Sequence, residues 1–296
     1  METKAVPREA VLIVNAHSRR GEALFAEARD KLEKAGIRLI AAHALSDPSQ
    51  LDDTVRAAVK AGAPMVIVGG GDGSLSGTVD ELVGSDCVFA VLPLGTANSF
   101  ARTLGLPLDL DGAIQTIATG RCRRVDLGMI DDDYFANAAS MGISPMIGET
   151  VPAKLKKYLG RVGYLIWAVR CFFMLRPFRL IISDGEQERH MWATEVRVLN
   201  GRYHGGVELT DKTDVDSGDI VIQAVTGRRL WWLVLDWYAK FFRLRSRGAH
   251  TKDFRGKDLR LTTRPPLPIS IDGEVLARTP VRVKVARGAI DVVAPA

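Results

Sequence analysis

The sequence predicts an α/β amino-terminal domain with a largely parallel sheet, followed by a β-rich, sandwich-like carboxy-terminal domain. Strand-like and helix-like segments alternate over the first ~120 residues, and strand-like segments then follow one another with few helices between them. The chain has 296 residues, which is more than one core usually serves. We place the predicted domains at residues 1–123 and 124–287, with the last strand, near residues 288–296, returning to the first domain.

The amino-terminal elements follow from hydrophobic periodicity. Short apolar runs predict strands, and apolar residues at every third or fourth position predict helices that end at Gly36 and Gly62. The predicted strands are Ala10–Asn15, Ile37–Ala44, Met65–Val68 and Cys87–Leu92, and the predicted helices are Gly21–Ala35, Leu51–Ala61, Leu75–Val83 and Ala97–Leu104. This regular alternation is typical of a Rossmann-like α/β layer with a largely parallel sheet.

The texture of the sequence changes after Gly120. The predicted strands are Arg124–Ile130, Tyr134–Ser140, Phe178–Ser183, Trp192–Leu199, Ile220–Val225, Asp258–Thr262, Pro268–Ile271, Val281–Ala286 and Ile290–Val293. Two helical segments interrupt them, Lys154–Leu175 and Leu230–Arg245. Charged residues such as Arg170 and Asp236 break both segments, so we expect no transmembrane helix.

Composition narrows the function only slightly. Forty Lys and Arg residues against thirty-five Asp and Glu give a formal charge of +5, which favours anionic partners. The three cysteines form no Cys-x-x-Cys pair, so neither a disulfide framework nor a zinc site is expected. The first residues lack the pattern of a signal peptide, and we expect a cytoplasmic protein. No nucleic-acid-binding motif accompanies the basic residues.

The strongest local signal is a glycine cluster at residues 69–73, between an apolar strand and a helical segment. Glycines let backbone N–H groups approach phosphate oxygens, and the start of the helix adds a positive dipole. The cluster is neither Gly-x-Gly-x-x-Gly, because Ser74 takes the third glycine's place, nor a P-loop, because Gly-Lys-Ser/Thr is absent from the sequence. Phosphate binding is the favoured interpretation, and a plain tight turn is the alternative.

A second loop, at residues 92–101, also follows an apolar strand and opens a helix. Both loops should therefore emerge at the carboxyl edge of the same parallel sheet, where ligands bind. Thr96 and Asn98 are candidates for helix N-caps or for nucleotide contacts.

Several motifs occur in the order found in the diacylglycerol kinase catalytic family, which includes bacterial lipid kinases and the sphingosine and ceramide kinases. Residues 15–19 (Asn-Ala-His-Ser-Arg) resemble its first nucleotide loop, residues 70–74 its Gly-Gly-Asp-Gly-Thr loop, and residues 93–102 its Gly-Thr-x-Asn-Asp-Phe-Ala segment. The match continues at residues 125–128, 134–137, 154–164 and 271–274, so it covers nearly the whole chain.

The resemblance implies an ATP-dependent lipid kinase that uses Mg²⁺ and holds its lipid in the β-rich domain. It implies that Glu274 is the proton acceptor for the lipid hydroxyl, with Asp272 and Asp72 around the transferring phosphate and Asp126 in the same acidic network. Which carboxylate is the base stays open. The nucleotide-binding residues implied by the resemblance are Asn15, Ala16, His17, Ser18, Arg19, Gly70, Gly71, Asp72, Gly73, Ser74, Thr96 and Asn98.

Other features leave alternatives open. The tripeptide Asp-Gly-Glu occurs at residues 184–186 and 272–274, and Asp-Gly is also a common hairpin turn. The family often has a structural Mg²⁺ at an Asp-Gly loop; the matching residues here include Asp214 and Asp219, with Ser217 in place of an acidic ligand.

The aromatic and basic segment 228–247 is either an interfacial helix at a membrane or a core helix. A homodimer is left open.

The alternative functions are an NAD kinase-like enzyme and a non-catalytic lipid- or nucleotide-binding protein of the same fold, which serine at positions 76, 99 and 217 permits. The lipid acceptor, whether diacylglycerol, ceramide or a sphingoid base, is not determined by the sequence.

Overall fold

A computed structural model describes residues 5–16, 19–152, 163, 166–211, 213–241 and 251–296. His17, Ser18 and the first part of the predicted helix Lys154–Leu175 lie outside these ranges. The described helices are α1 (Arg19–Lys34), α2 (Leu51–Lys60), α3 (Asp72–Ser76), α4 (Ser99–Thr103), α5 (Leu110–Thr119), α6 (Ile143–Thr150), α7 (166–174) and α8 (Trp231–Phe241). No helix in these ranges is long and apolar enough to span a membrane.

The strands are β1 (Glu9–Asn15), β2 (Arg38–Leu45), β3 (Met65–Gly70), β4 (Val88–Pro93), β5 (Arg121–Ile130), β6 (Asp133–Phe135), β7 (Ala138–Met141), β8 (Phe178–Ser183), β9 (Glu188–Leu199), β10 (Tyr203–His204), β11 (Val207–Glu208), β12 (Ile220–Thr226), β13 (Thr251–Gly256), β14 (Asp258–Arg264), β15 (Pro268–Ile271), β16 (Glu274–Arg278) and β17 (Val281–Ala294).

The amino-terminal sheet is parallel, in the order β2-β1-β3-β4-β17. Its central strands are buried on both faces because successive side chains enter different cores. Ile13 and Val66 belong to one apolar cluster, whereas Leu12 and Ile67 belong to another. Strands that bury both faces read as continuous apolar runs, which is how they were predicted. The α/β class with a mostly parallel sheet is confirmed.

The carboxy-terminal part is β-rich and antiparallel, in the order β16-β15-β7-β9-β8-β14-β17, with β12 and β13 joined to β9. Strand β17 belongs to both regions. Its first part pairs antiparallel with β14 and β5, and its last part pairs parallel with β4 at Asp291 and Val292. The chain therefore returns to the amino-terminal sheet at its end.

Four predicted elements are wrong in detail. The predicted helix Leu75–Val83 is the end of α3 followed by a 3₁₀ turn, Gly77–Leu82. The predicted strand Tyr134–Ser140 is split into β6 and β7, because the amides of residues 136 and 137 donate to a distant carboxylate. The two predicted final strands form one strand with a bulge between Ala286 and Ile290.

Candidate active site

The glycine loop lies between β3 and α3, at the carboxyl edge of the parallel sheet. A Cβ atom added to Gly95, in the second loop, would lie 2.5 Å from the Cα of Gly71, so the two loops touch through their backbones. A Cβ atom on Gly73, by contrast, would have no protein atom within 4 Å. Packing therefore requires glycine where the loops meet, whereas the space beside Gly73 is open to a ligand.

Asp72 joins the two loops. Its Oδ1 atom accepts hydrogen bonds from the backbone N–H of Ser99 at 2.6 Å and of Phe100 at 3.3 Å, the first two residues of α4. A carboxylate at a helix N-terminus satisfies amides that have no partner within the helix and opposes the helix dipole. Asp72 Oδ2 forms no hydrogen bond within the described ranges, so this oxygen remains available for a ligand.

Asn98 has a structural role in the second loop. Its backbone is left-handed, with φ of 48°, and its side chain does not cap α4. The amide instead bonds within its own loop: Gly95 N–H donates to Oδ1 at 3.0 Å, and Nδ2 donates to the carbonyl oxygens of Gly95 and Pro93. The N-cap interpretation of Asn98 is wrong, because Asp72 provides the cap, whereas Thr96 is exposed at the tip of the loop.

The first predicted nucleotide loop contacts the glycine loop through Asn15. Its Nδ2 atom donates to Ser74 Oγ at 3.1 Å. The Ala16 amide bonds to the carbonyl oxygen of Leu45 and so belongs to the framework. Arg19 begins α1, and its side chain lies outside the described part. The structure thus brings the ends of β1, β3 and β4 to one place.

Asp272 approaches this place from the carboxy-terminal domain. It occupies the β15–β16 turn, and its carboxylate accepts hydrogen bonds from the amides of Ala136, Asn137 and Ala138 at 2.9, 3.3 and 3.0 Å. Burial raises the pKa of Asp272 to about 6, although the three amides lower it; the charge of Asp72 raises it further. The two carboxylates are therefore near enough for their charges to interact.

The two Asp-Gly-Glu copies are both turns, but only the second reaches across the molecule. Asp184 accepts hydrogen bonds from the amides of Glu186 and Gln187 within its own exposed turn, and these bonds lower its pKa. Asp272, in contrast, binds amides that lie about 135 positions away in the chain. The hydrogen bonds therefore show that residues 184–186 form a local hairpin turn, whereas the turn at residues 272–274 is held by a distant part of the chain.

Glu274 is exposed at the start of β16 and forms no hydrogen bond or ion pair with a described residue. Its charge helps to raise the pKa of Asp52, on α2, after burial and the charge of Glu81. Glu274 thus lies at the edge of the β-rich sheet, two residues from Asp272 and near enough to α2 for its charge to act on Asp52.

Asp126 binds backbone amides at the junction of the two domains. Its carboxylate is buried and accepts hydrogen bonds from the amides of Gly218 at 2.8 Å and Gly288 at 2.7 Å. Gly288 is in the bulge of β17, where this strand passes from one sheet to the other. These contacts give Asp126 a structural role, and its place in the acidic network stays a prediction.

The predicted metal ligands are paired with arginines. Asp214 Oδ2 accepts from Arg202 at 2.9 Å, and Asp219 forms a two-pronged ion pair with Arg255. In the same loop Asp216 binds Arg123 at 2.6 Å. The described ranges hold no group of three or more His, Cys, Asp or Glu side chains arranged for a metal ion. The donor set of loop 213–219 therefore does not fit a structural Mg²⁺, because guanidinium groups already bind its carboxylates.

His204 is a site residue that the sequence did not reveal, because it has no spacing typical of a ligand or catalytic motif. It is on the β10–β11 hairpin, whose Gly206 N–H donates to Ser99 Oγ at 3.1 Å. Removal from water and the charge of Arg197 lower the pKa of His204 to about 4, although the charge of Asp72 raises it. The imidazole is therefore neutral at physiological pH and within electrostatic range of Asp72.

The fold and the site together define a protein in which a phosphate-type glycine loop meets a carboxylate from a β-rich domain. The family model described as "Diacylglycerol kinase catalytic domain" matches residues 9–130 of this chain. The family model described as "YegS C-terminal NAD kinase beta sandwich-like domain" matches residues 137–294. These two matches divide the chain close to the predicted domain boundary.

Curated relatives and a solved structure agree with these matches. A "Probable lipid kinase YegS-like" of Chromohalobacter salexigens is 31% identical, with 81% of this chain and 79% of that protein covered. A "Diacylglycerol kinase" of Staphylococcus aureus strain JH9 is 28% identical, with 97% and 93% covered. A crystal structure of a diacylglycerol kinase from Bacillus anthracis strain Sterne has 22% identity, a TM-score of 0.80 and 98% coverage of each chain, which shows the shared fold. The chain belongs to the diacylglycerol kinase catalytic domain family of lipid kinases.

Proposed function

We propose that this protein transfers the γ-phosphate of ATP to the hydroxyl of a membrane lipid, with diacylglycerol, ceramide or a sphingoid base as the acceptor. The observation that carries the proposal is the position of Asp72 at the contact between the glycine loop and the second loop, where its carboxylate binds the first two amides of α4. Asp272, from the β-rich domain, is near enough for its charge to interact with that of Asp72. Phosphoryl transfer needs this combination of positioned phosphates and a carboxylate near the attacking hydroxyl.

Each part has a distinct task in this proposal. Backbone amides of the glycine loop hold the phosphates in the open space beside Gly73. Asp72 Oδ2 and the Asp272 carboxylate suit a nucleotide-bound Mg²⁺, which supplies positive charge to the phosphate oxygens when bound. Glu274, exposed and without a partner among the described residues, accepts the proton of the lipid hydroxyl.

Transfer of label from γ-labelled ATP into a total lipid extract, with mass identification of the product, tests the function. We expect one labelled lipid phosphate from the wild-type protein. Glu274→Gln keeps the size of the side chain but cannot accept a proton, so label transfer should fall by at least about 100-fold. Full transfer by Glu274→Gln would remove the assigned base, and absence of any labelled lipid would remove the function.

Two alternatives are decided by the same assay. An NAD kinase-like enzyme would place the label in NADP when NAD is supplied instead of lipid; the description of the carboxy-terminal match makes this arm necessary. A non-catalytic binding protein would bind ATP without transferring label to either acceptor. Since Asp72, Asp272 and Glu274 are all present, we expect the lipid arm alone to be labelled.

We also propose that α7, α8 and their flanks contact the membrane surface. Among the residues that the structure describes, nine large apolar side chains are exposed, and seven of them lie there: Ile166, Val169, Phe173, Met174, Trp231, Val234 and Leu235. Leu175 and Leu233 pack in one cluster, so both segments form a single surface, here called the apolar surface. Four exposed arginines, at 170, 176, 228 and 229, flank it. Exposed apolar groups beside basic ones are complementary to an anionic lipid bilayer.

A further inference from the structure

The outer face of the β-rich sheet is exposed and strongly basic. Directly opposite residues in antiparallel strands present their side chains on the same face. Strand β14 alternates core residues with outward ones, and its pairing extends this alternation across β17 on one side and across β8 and β9 on the other. The charged residues that these paired strands direct outward are Arg179, Arg260, Arg264, Arg282, Lys284, Asp258 and Glu188. These residues, together with Trp192 and Arg228, are here called the basic face.

Two pairs of arginines on the basic face lie directly opposite each other. Arg264 is opposite Arg179, and Arg260 is opposite Arg282. All four side chains are exposed, and like charges in this position destabilise a sheet. Arg282 is bound by Asp258, but the other three arginines form no ion pair with a residue that the structure describes. The sheet therefore presents a concentration of positive charge that an external anion would neutralise.

Trp192 holds part of this charge in place. It is directly opposite Arg179, whose guanidinium carbon lies 5.7 Å from the centre of the indole ring. The guanidinium carbon of Arg228 lies 4.5 Å from the same ring, and the Gly227 amide donates to the carbonyl oxygen of Trp192 at 2.8 Å. A cation–π contact orders a guanidinium group without neutralising it. Two ordered guanidinium groups thus lie beside one ring, next to Arg264.

The extent and the charge of the basic face fit the surface of an anionic bilayer. The face spans four strands and has six basic side chains against two acidic ones, so it accounts for most of the +5 formal charge of the chain. Arg228 also flanks the apolar surface, because it closely precedes Trp231, the first residue of α8. The two surfaces are therefore continuous. Guanidinium groups bind phosphate oxygens in a two-pronged manner, and anionic leaflets attract clusters of basic residues.

We propose that the basic face binds phosphate-bearing lipid head groups of the membrane, and that it binds phosphate monoesters more tightly than phosphodiesters. A monoester carries a charge of about −1.5 to −2 at neutral pH, whereas a diester carries a single charge. One monoester can therefore neutralise both members of a directly opposite arginine pair such as Arg179 and Arg264.

The proposed reaction supplies such a monoester at the membrane, because phosphorylation of a lipid hydroxyl yields a lipid phosphate. In this respect the inference rests on the proposed kinase function. The product then retains the protein on the membrane where the product was made, through a surface that is separate from the active site.

Vesicle sedimentation tests the basic face without any turnover. Phosphatidylcholine vesicles carry either phosphatidic acid, a monoester, or phosphatidylglycerol, a diester, mixed to the same surface charge. We expect the wild-type protein to bind the monoester vesicles at least about tenfold more tightly, as one added charge-assisted hydrogen bond would give. The variant Arg179→Gln, Arg264→Gln should lose this preference and bind anionic vesicles about 30-fold more weakly, because each arginine contributes about a factor of five.

The matched control removes two positive charges from the amino-terminal domain. Lys60→Gln, Arg121→Gln changes exposed residues at the end of α2 and the start of β5, and neither forms an ion pair with a described residue. This control should keep the preference for monoester vesicles and weaken binding by no more than about threefold, because charges beyond a Debye length from the bilayer are screened. If Arg179→Gln, Arg264→Gln fails to fold, Arg260→Gln, Arg264→Gln replaces it and leaves the contacts of Trp192 intact.

Retention by the product has a kinetic signature. On phosphatidylcholine vesicles that contain the acceptor lipid, label transfer by the wild-type protein should accelerate as product accumulates, and phosphatidic acid added at the start should remove the lag. The variant Arg179→Gln, Arg264→Gln should show neither effect, and its rate on an acceptor dissolved in water should equal that of the wild type.

Equal binding of the wild-type protein to monoester and diester vesicles would overturn the preference. Equal losses of vesicle binding in the basic-face variant and in the Lys60→Gln, Arg121→Gln control would overturn the surface itself. Binding of a single-stranded RNA more tightly than of vesicles, lost in the basic-face variant, would assign the face to nucleic acid instead. A wild-type protein that labels no lipid would overturn the proposed function and the role of the product, whereas the vesicle-binding result would stand independently.

Discussion

Asp72 combines a structural and a chemical role, and two substitutions separate them. Asn at this position keeps an oxygen that can accept the amides of Ser99 and Phe100, whereas Ala removes it. We expect Asp72→Asn to unfold within about 0.5 kcal/mol of wild type and Asp72→Ala to lose about 1 kcal/mol, the usual value of a helix cap.

Kinase activity should fall by at least about 100-fold in both Asp72 variants, because each removes the negative charge beside the phosphates. Chemical denaturation and label transfer measure the two effects. Activity retained in Asp72→Asn would mean that the carboxylate is only a cap.

Asp272 predicts a pH dependence with a defined sign. Its pKa in the folded protein, about 6, is higher than the ordinary 3.8, so the folded state holds the proton more tightly than the unfolded chain. The stability contribution of this proton is complete below about pH 4 and is lost as the pH rises through about 6. If the ionised carboxylate is the active form, activity rises over the same interval.

Asp272→Asn should reduce this dependence of stability, measured as the denaturation midpoint from pH 4 to 7, because the amide does not titrate. A part should remain, because burial also raises the pKa of Asp80 to about 6. The amide oxygen can still accept from Asn137 and Ala138, which bind Oδ1 of Asp272. The Ala136 amide, which binds Oδ2, loses its acceptor, so we expect a folded variant that is less stable by about 1–3 kcal/mol. An unchanged pH profile in this variant would assign the titration to another group.

Residue roles were only partly predictable from the sequence. The resemblance identified Asp272, but pattern alone could not separate it from Asp184, since both begin the same tripeptide. Their difference is a contact with amides far away in the chain. His204 and Arg197 carried no motif at all, because their neighbourhood arises from strand register and hairpin docking rather than from spacing.

At the scale of elements, ion pairs hold loop 213–219, for which the family resemblance implied a structural Mg²⁺. Asp214, Asp216 and Asp219 each bind an arginine from a different part of the chain. We expect a chelator to change the Tm of the nucleotide-free protein by no more than about 1 °C, because no ion holds the loop. A large loss of Tm with chelator would restore the structural metal site.

Arg255→Gln tests whether the same loop binds a cation once one of its arginines is removed. It frees the carboxylate of Asp219, so millimolar Mg²⁺ or Ca²⁺ should raise the Tm of this variant but not that of the wild type. Arg282→Gln is the matched control, because it breaks a similar two-pronged, exposed pair, with Asp258, between β17 and β14. Equal responses of both variants would mean that the added ion acts non-specifically.

The elements that sequence predicted well are those whose burial is uniform. Strands β1, β3 and β4 are apolar throughout because both of their faces are covered, so a simple run of residues reveals them. Strands β13 and β16 were missed because they alternate exposed and partly buried residues and contain at most one fully buried residue, so no apolar run marks them. The predicted helix at Leu75–Val83 failed at Gly77, a residue that weakens helices and lies against Asp52.

For the whole molecule, β17 connects the nucleotide-side sheet to the β-rich sheet without a linker. Asp126 holds the bulge of this strand through Gly288 and, through Gly218, also holds loop 213–219. The relative position of Asp272 and Asp72 is thus fixed by the shared strand β17 and by the buried hydrogen bonds of Asp126, rather than by a flexible hinge. The sequence indicated the return of the last strand. It did not indicate the hydrogen bonds of Asp126, because the two glycines that donate them lie 92 and 162 positions away in the chain.

The proposed membrane contact makes a prediction at the same scale. Phe173 and Trp231 are 78% and 62% exposed, and inserting each into a bilayer is worth about 1.5–3 kcal/mol, or roughly a factor of ten or more in affinity. The double variant Phe173→Ser, Trp231→Ser should therefore bind vesicles of phosphatidylcholine with anionic lipid at least about 100-fold more weakly in a sedimentation assay. Ile40→Ser is the matched control, since Ile40 is 46% exposed on β2, away from the apolar surface.

Two further measurements distinguish binding to the membrane surface from catalysis: the dependence of vesicle binding on salt concentration, and activity on an acceptor dissolved in water. Wild-type binding to anionic vesicles should weaken as salt increases, because Arg228 and Arg229 each contribute about 1 kcal/mol through the surface potential. The double variant should still phosphorylate a short-chain acceptor dissolved in water at the wild-type rate, since neither side chain touches the Asp72–Asp272 site. Vesicle binding that is unchanged in the double variant would exclude the apolar surface as the docking site, and the lipid would have to reach the active site from another face of the molecule.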